Sequence, residues 1–96
     1  MPGTKVIITF EAKPESSASL GAMLMQAKHD LPQVDGCNGA RLFAAEDNPC
    51  VFTLVEDWES RSAHQAHIDR VVASGAWAQI ASHLTGEPMS QYFNEL

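Results

Sequence analysis

The run Lys5 to Ala12, KVIITFEA, carries apolar side chains on both faces, with Val6, Ile8 and Phe10 on one and Ile7 on the other. Cys50 to Trp58 repeats the pattern, with Phe52 and Leu54 on one face and Val51 and Val55 on the opposite one. Alternating β-branched and aromatic residues read as strands, and strands apolar on both sides need a cover on both. An open sheet with one wetted face is therefore a poor solution. Helices must cover one face and something else the other.

Two helical regions are available. From Ser17 to Leu31 the residues Leu20, Met23, Leu24, Ala27 and Leu31 fall at helical spacing, with Ser16 or Ser17 as N-cap and Pro32 just beyond the end. Ser60 caps a second helix running to about Val72. After Ser74-Gly75, Trp77, Ile80, Ala81 and Leu84 form a further core stripe, so this region breaks at Gly75. Between the helices, Gly36 and Gly39 punctuate the chain ahead of a short strand, Ala40 to Glu46. Asp47-Asn48-Pro49 turns it into the Cys50 to Trp58 strand as a hairpin. Pro88 to Glu95, with Met89, Tyr92 and Phe93, suits a last strand. The order β-α-β-β-α-β predicts an α+β, ferredoxin-like domain with two helical layers' worth of cover on one face of a four-stranded antiparallel sheet. A second copy packing sheet to sheet would cover the other face.

Ninety-six residues make a single domain, 1–96, whose 45% apolar content suffices for one core. A chain this short buries only roughly 60 to 65% of its unfolded surface, which favours a homodimer. Twelve acidic against six basic residues leave a net charge of -6, which repels phosphate backbones and anionic lipid. Neither nucleic acid nor membrane is an expected partner. No run approaches the roughly 18 apolar residues of a membrane span, and Met1 to Lys5 lead directly into a strand without a signal-peptide layout. In the hairpin, Cys50 lies near the turn and Cys37 near the level of Trp58, about 20 Å or more apart at about 3.3 Å per residue. Two free, structural thiols fit a reducing compartment, and the expected location is cytoplasmic.

The corner Glu56-Asp57-Trp58-Glu59-Ser60, followed by His64 and His67, holds the chain's most reactive constellation. The spacing E-x-W-x8-H over Glu56, Trp58 and His67, the Gly36-Cys37 pair, the length and the element order resemble the antibiotic biosynthesis monooxygenase family. The likeness spans nearly the whole chain. It implies a dimeric α+β barrel with a pocket in each subunit between sheet and helices. Family members include quinol and polyketide oxygenases, haem degraders and isomerases.

The oxygenase branch implies a cofactor-independent monooxygenase acting on a small phenolic or quinol-type substrate with O2, using no metal, flavin or haem. Triplet oxygen reacts sluggishly with closed-shell organics, so the substrate must become an electron donor by losing a proton. The protein's tasks are then proton removal, charge stabilisation and exclusion of water. His67 is the expected base, because an imidazole titrates near neutral pH. Trp58 is expected as a pocket wall or as an indole N–H donor to a substrate oxygen, looking into the same hollow as His67. His64, three residues earlier, is a second base or donor. Phe10, Phe52 and Leu54 line the pocket.

Departures from the family narrow this. Leu54 and His64 stand where one oxygenase branch carries an amide and a tyrosine, which argues against its polyketide-anthrone substrates. The haem degraders rely on an asparagine in the first strand, and KVIITFEA has none. His64 and His67 with Glu56 or Asp69 lack a clear metal-ligand spacing. Two alternatives stay open. One is a non-catalytic dimeric module binding a small hydrophobic ligand, with Trp58 as a core plug and His67 bonded to backbone. The other is an isomerase of a small carbonyl compound, for which only Arg41, Arg61 and Arg70 offer guanidinium groups to a phosphate.

Overall fold

The computed structural model describes residues 3–96, so Met1 and Pro2, the start of the expected leader-free terminus, lie outside the described residues. Four strands, β1 (Thr4–Glu11), β2 (Cys37–Ala44), β3 (Val51–Trp58) and β4 (Met89–Phe93), form one sheet. Its order is β2-β3-β1-β4, and every neighbouring pair is antiparallel. Three helices accompany it: α1 (Ser17–Asp30), α2 (Arg61–Ala73) and α3 (Ala76–Ala81). The ferredoxin-like α+β arrangement read from the periodicity is the observed one.

Strand parity decides which side chains meet the helices. Val6, Ile8 and Phe10 are buried on β1, and Glu56 and Leu54, which pair with Val6 and Ile8, share that face of β3 with Trp58, the partner of Thr4. The opposite face carries Ile7, Thr9, Val55 and Thr53, joined by Phe43 of β2 and by Met89 and Phe93 of β4 through the pairing register. Phe43, Met89 and Phe93 are exposed there.

The two helical layers dock differently. Leu20 and Leu24 of α1 are sealed against the sheet. By contrast, α2 buries only His64 and α3 buries no residue fully. Ile68, Val71, Trp77 and Ile80 are only partly covered, so the second layer stands off the sheet and leaves space beneath it.

Local details differ from the expected boundaries where hydrogen bonding overrides pattern. β2 begins at Cys37 rather than Ala40, because an irregularity between Cys37 and Gly39 absorbs one residue and lets the pairing continue past the glycine. It ends at Ala44, two residues before the expected Glu46. Ser16 stands at the N-cap position of α1, but neither it nor Ser17 caps with a side chain. A short 3₁₀ turn, Pro14–Ser16, leads in, and the Ser17 hydroxyl instead donates to the Pro49 carbonyl at 2.6 Å. Ser60 does cap α2, accepting from the Ala63 N–H at 3.1 Å. Gly75, with φ +86°, breaks the second helical region where the sequence places the break.

Gly36 holds the functional corner. Its φ is +88°, and a β-carbon there would lie 2.6 Å from the Ala63 side chain. Its carbonyl accepts the Glu59 N–H at 2.7 Å, joining the start of β2 to the β3–α2 turn. Gly36→Ala is expected to destabilise the fold by about 2 kcal/mol or more, because the left-handed backbone costs roughly 1–2 kcal/mol before the steric contact is counted. Denaturant unfolding of the variant checks this.

Candidate functional site

The site grows from one row across the sheet. Val6 pairs with Glu56 on one side and with Tyr92 on the other, so the three share the helix-covered face. With strands roughly 4.8 Å apart, Glu56 and Tyr92 stand about 10 Å from each other. His64 reaches down from α2 between them. Its Nδ1 lies 2.7 Å from the Tyr92 hydroxyl, and its Nε2 lies 3.9 Å from Glu56 Oε1.

Glu56 is a carboxylic acid at a core position, 4% exposed. Burial disfavours its charged form and pushes its pKa above the ordinary carboxylate value, while the Trp58 indole N–H, donating at 2.7 Å to Oε1, acts in the opposite sense. Trp58 is fully buried and stacks its indole against both imidazoles, with ring centroids 5.3 Å from His64 and 5.3 Å from His67. Such aromatic contacts contribute roughly 0.5–1.5 kcal/mol each beyond area burial. Burial also lowers the pKa of both histidines, helped at His64 by His67 and at His67 by Arg70. Both shifts favour the neutral imidazole.

Two hollows lie under the second helical layer. The central one, about 270 Å³, is bounded by Ile8, Phe10, Leu24, Leu54, Trp77 and other apolar groups, with His67 and Glu56 among its polar lining. The edge hollow, about 360 Å³, lies toward β4 and is lined by His64, Gln65, Ser90, Gln91 and Tyr92 beside apolar groups. Ile8, Ile68, Val71 and Trp77 border both. Although the edge hollow is larger, its histidine has one nitrogen held by Tyr92 and the other facing Glu56. The central hollow is the better place for base chemistry.

The expected site residues separate accordingly. His67, Phe10 and Leu54 come together around the central hollow. Trp58 lies against His67 with ring centroids 5.3 Å apart, fully buried beneath the corner and not among the groups that border the central hollow. Its N–H serves Glu56 rather than a substrate oxygen. Phe52 lies toward the far end of β3, where its ring would be 3.3 Å from a β-carbon at Gly21 of α1, and lines neither hollow. His64 faces the edge hollow. Tyr92 was read only as a strand residue, and Trp77 only as packing. A polar aromatic on the core-facing parity of an edge strand was the available signal for Tyr92, as a carboxylate alternating with Leu54 and Trp58 was for Glu56.

Both cysteines are free thiols, and Cys37 pairs with Trp58 across the hairpin as the geometry of the turn requires. Among the described residues, no three His, Cys, Asp or Glu side chains gather in a way that would hold a metal ion. No helix among the described residues is long and apolar enough to cross a membrane.

Comparison with known proteins places this geometry in a family. Residues 4–74 match the model of the antibiotic biosynthesis monooxygenase family. Among solved structures, one described as an antibiotic biosynthesis monooxygenase is 20% identical with a TM-score of 0.86, covering 97% of this chain and 98% of that one. Rv0793 from Mycobacterium tuberculosis is 25% identical with a TM-score of 0.84, over 97% of this chain and 94% of its own. A conserved protein from Methanosarcina mazei Go1 is 17% identical with a TM-score of 0.86, over 100% and 95% of the two chains. No curated protein matches the chain. With a family match over most of its length and the same fold in these structures, the chain belongs to the antibiotic biosynthesis monooxygenase family.

Proposed function

We propose that this protein is a cofactor-independent monooxygenase that oxidises a small phenolic or quinol-type compound with O2 in the central hollow. The observation that carries the reading is the pairing of His67, its pKa lowered by burial and Arg70, with an otherwise largely apolar cavity next to a buried carboxyl. A volume of about 270 Å³ sits at the lower edge of small-molecule sites, roughly 300–1,000 Å³, and suits a substrate of one ring. His67 takes the phenolic proton. The resulting phenolate gives one electron to O2, the radical pair combines to a peroxide anion that takes a proton back from His67 to become the hydroperoxide, and loss of water leaves the quinone. Phe10, Leu54 and Trp77 exclude bulk water, which strengthens every electrostatic interaction inside. Trp58 contributes as a hydrogen-bond donor that holds Glu56 in place.

Oxygen uptake against a panel of hydroquinones, run in chelator, tests this. Consumption that persists in chelator is the expected result. Saturable binding of the same compounds without oxygen consumption would instead identify a non-catalytic small-ligand module.

The active form is a homodimer closed through the open sheet face, where Phe43 is 50% and Met89 76% exposed beside Ile7 and Val55. Phe43→Asp places a charge in that contact and is expected to shift the protein toward monomer in light scattering. The two free thiols, Cys37 and Cys50, support a reducing, cytoplasmic setting.

A further inference from the structure

The buried network contains one polar atom with nothing to bond. His64 is 5% exposed, and its Nε2 is buried without a hydrogen-bond partner among the described residues. Buried polar atoms in native folds are almost always satisfied, so an orphan requires a reason. Among the described residues, the acid within ion-pair distance of it is Glu56, whose carboxyl oxygen lies 3.9 Å away, and a movement of about 1 Å would bring the pair into hydrogen-bond range. On the other side of the ring, Nδ1 is already bonded to Tyr92 at 2.7 Å. Arg61 stacks its guanidinium 4.2 Å from the Tyr92 ring centroid and steadies that ring. Glu56 faces the central hollow, whereas Tyr92 faces the edge hollow. The three side chains therefore form a continuous polar path between two cavities otherwise divided by Ile8, Ile68, Val71 and Trp77.

We propose that Glu56, His64 and Tyr92 are a proton relay that carries a proton from the central hollow to the edge hollow. Before transfer, Glu56 is protonated and His64 carries its proton on Nδ1, donated to the Tyr92 oxygen. The Glu56 O–H bond breaks as an N–H bond forms at Nε2. The Nδ1–H bond breaks as an O–H bond forms at Tyr92, whose original hydroxyl proton passes to solvent in the edge hollow. No electrons change hands: one proton leaves Glu56, one enters solvent, and the imidazole ends as the other neutral tautomer. The final state is stabilised because the Glu56 carboxylate then faces two donors, the Trp58 indole N–H and the His64 Nε2–H.

Other titratable groups surround the path. Burial, with Glu56 and Asp57 of β3 nearby, raises the pKa of the Cys37 thiol of β2, and Asp57 is bridged at 3.2 Å by Lys5 of β1. Asp30 of α1 lines the central hollow, and His67, Arg61 and Arg70 stand on α2. None of these lies between Nε2 and Glu56.

The relay rests on the oxygenase reading only for the source of the proton, which is released during oxidation into the central hollow that Glu56 lines. Tyr92 acts through His64 and is a positioning residue. The test needs no substrate: ¹⁵N NMR of the His64 ring is followed while Glu56 is titrated and observed by ¹³C NMR. The expected result is a switch from the Nδ1–H to the Nε2–H tautomer as Glu56 ionises. Tyr92→Phe removes only the hydroxyl, leaves Nδ1 without an acceptor and should hold His64 in the Nε2–H form at every pH. A single tautomer throughout the titration of the unaltered protein would overturn the relay, as would an unchanged switch in Tyr92→Phe. If hydroquinone oxidation is found, Tyr92→Phe should slow it about tenfold in kcat with KM little changed. If none is found, the oxygenase reading falls while the tautomer measurement still decides the relay.

Discussion

Trp58→Ala is expected to lower the folding free energy by roughly 3–5 kcal/mol, the range for emptying a fully buried aromatic site. Trp58 is the largest side chain with no exposure, and it supports three neighbours at once: His64, His67 and Glu56. Its removal opens a cavity under the β3–α2 corner and takes the indole N–H from Glu56 Oε1, leaving a buried carboxyl without that donor. In a domain of this size about 1 kcal/mol corresponds to roughly 4–8 °C of Tm, so thermal unfolding reads the loss easily. Trp58→Phe separates the two contributions. It keeps most of the volume but lacks the N–H, so it should destabilise less than alanine while raising the Glu56 pKa further.

The second large effect concerns activity. His67→Ala should reduce oxygen-dependent quinone formation at least tenfold, within the roughly 10²–10⁴-fold that a positioned general base supplies. The fold should survive, since His67 is only partly buried and lines a space rather than filling the core. The pH dependence carries a definite sign. Burial and Arg70 lower the His67 pKa, so the neutral, proton-accepting form persists below the ordinary imidazole range. Activity should therefore remain on its plateau as pH falls through about 6.5 and decline only further into acid. Substituting Arg70 with glutamine removes the second of these causes and should move the acid limb upward.

The order of elements could be read from the chain because each segment declares its period: the alternation in KVIITFEA, the helical spacing of Leu20, Leu24 and Leu31, and the break at Gly75. Phe10 and Leu54 could be assigned to the core-facing side by parity alone, and His67 follows from its place on the helix above them. The partnerships could not be read this way. Tyr92 is 28 residues from His64, and only the strand order, with β4 beside β1, brings it to Val6 opposite Glu56. Nor does spacing say where an indole N–H points. Trp58 and Glu56 are neighbours on one strand face, two residues apart, and that short link diverts the donor from any ligand. The stand-off of α2 and α3 is a packing outcome too, since the apolar stripe Trp77 and Ile80 looks the same whether it seals a core or roofs a hollow.

The central claim is that a phenolic ring occupies the space between β1, β3 and the second helical layer with its oxygen on His67. A crystal structure with an unreactive monophenol bound tests it most directly. The ring should lie against Phe10 and Leu54 with its oxygen about 2.6–3.2 Å from a His67 nitrogen. A phenol seated instead in the edge hollow or on the open sheet face, with His67 unengaged, would contradict the account.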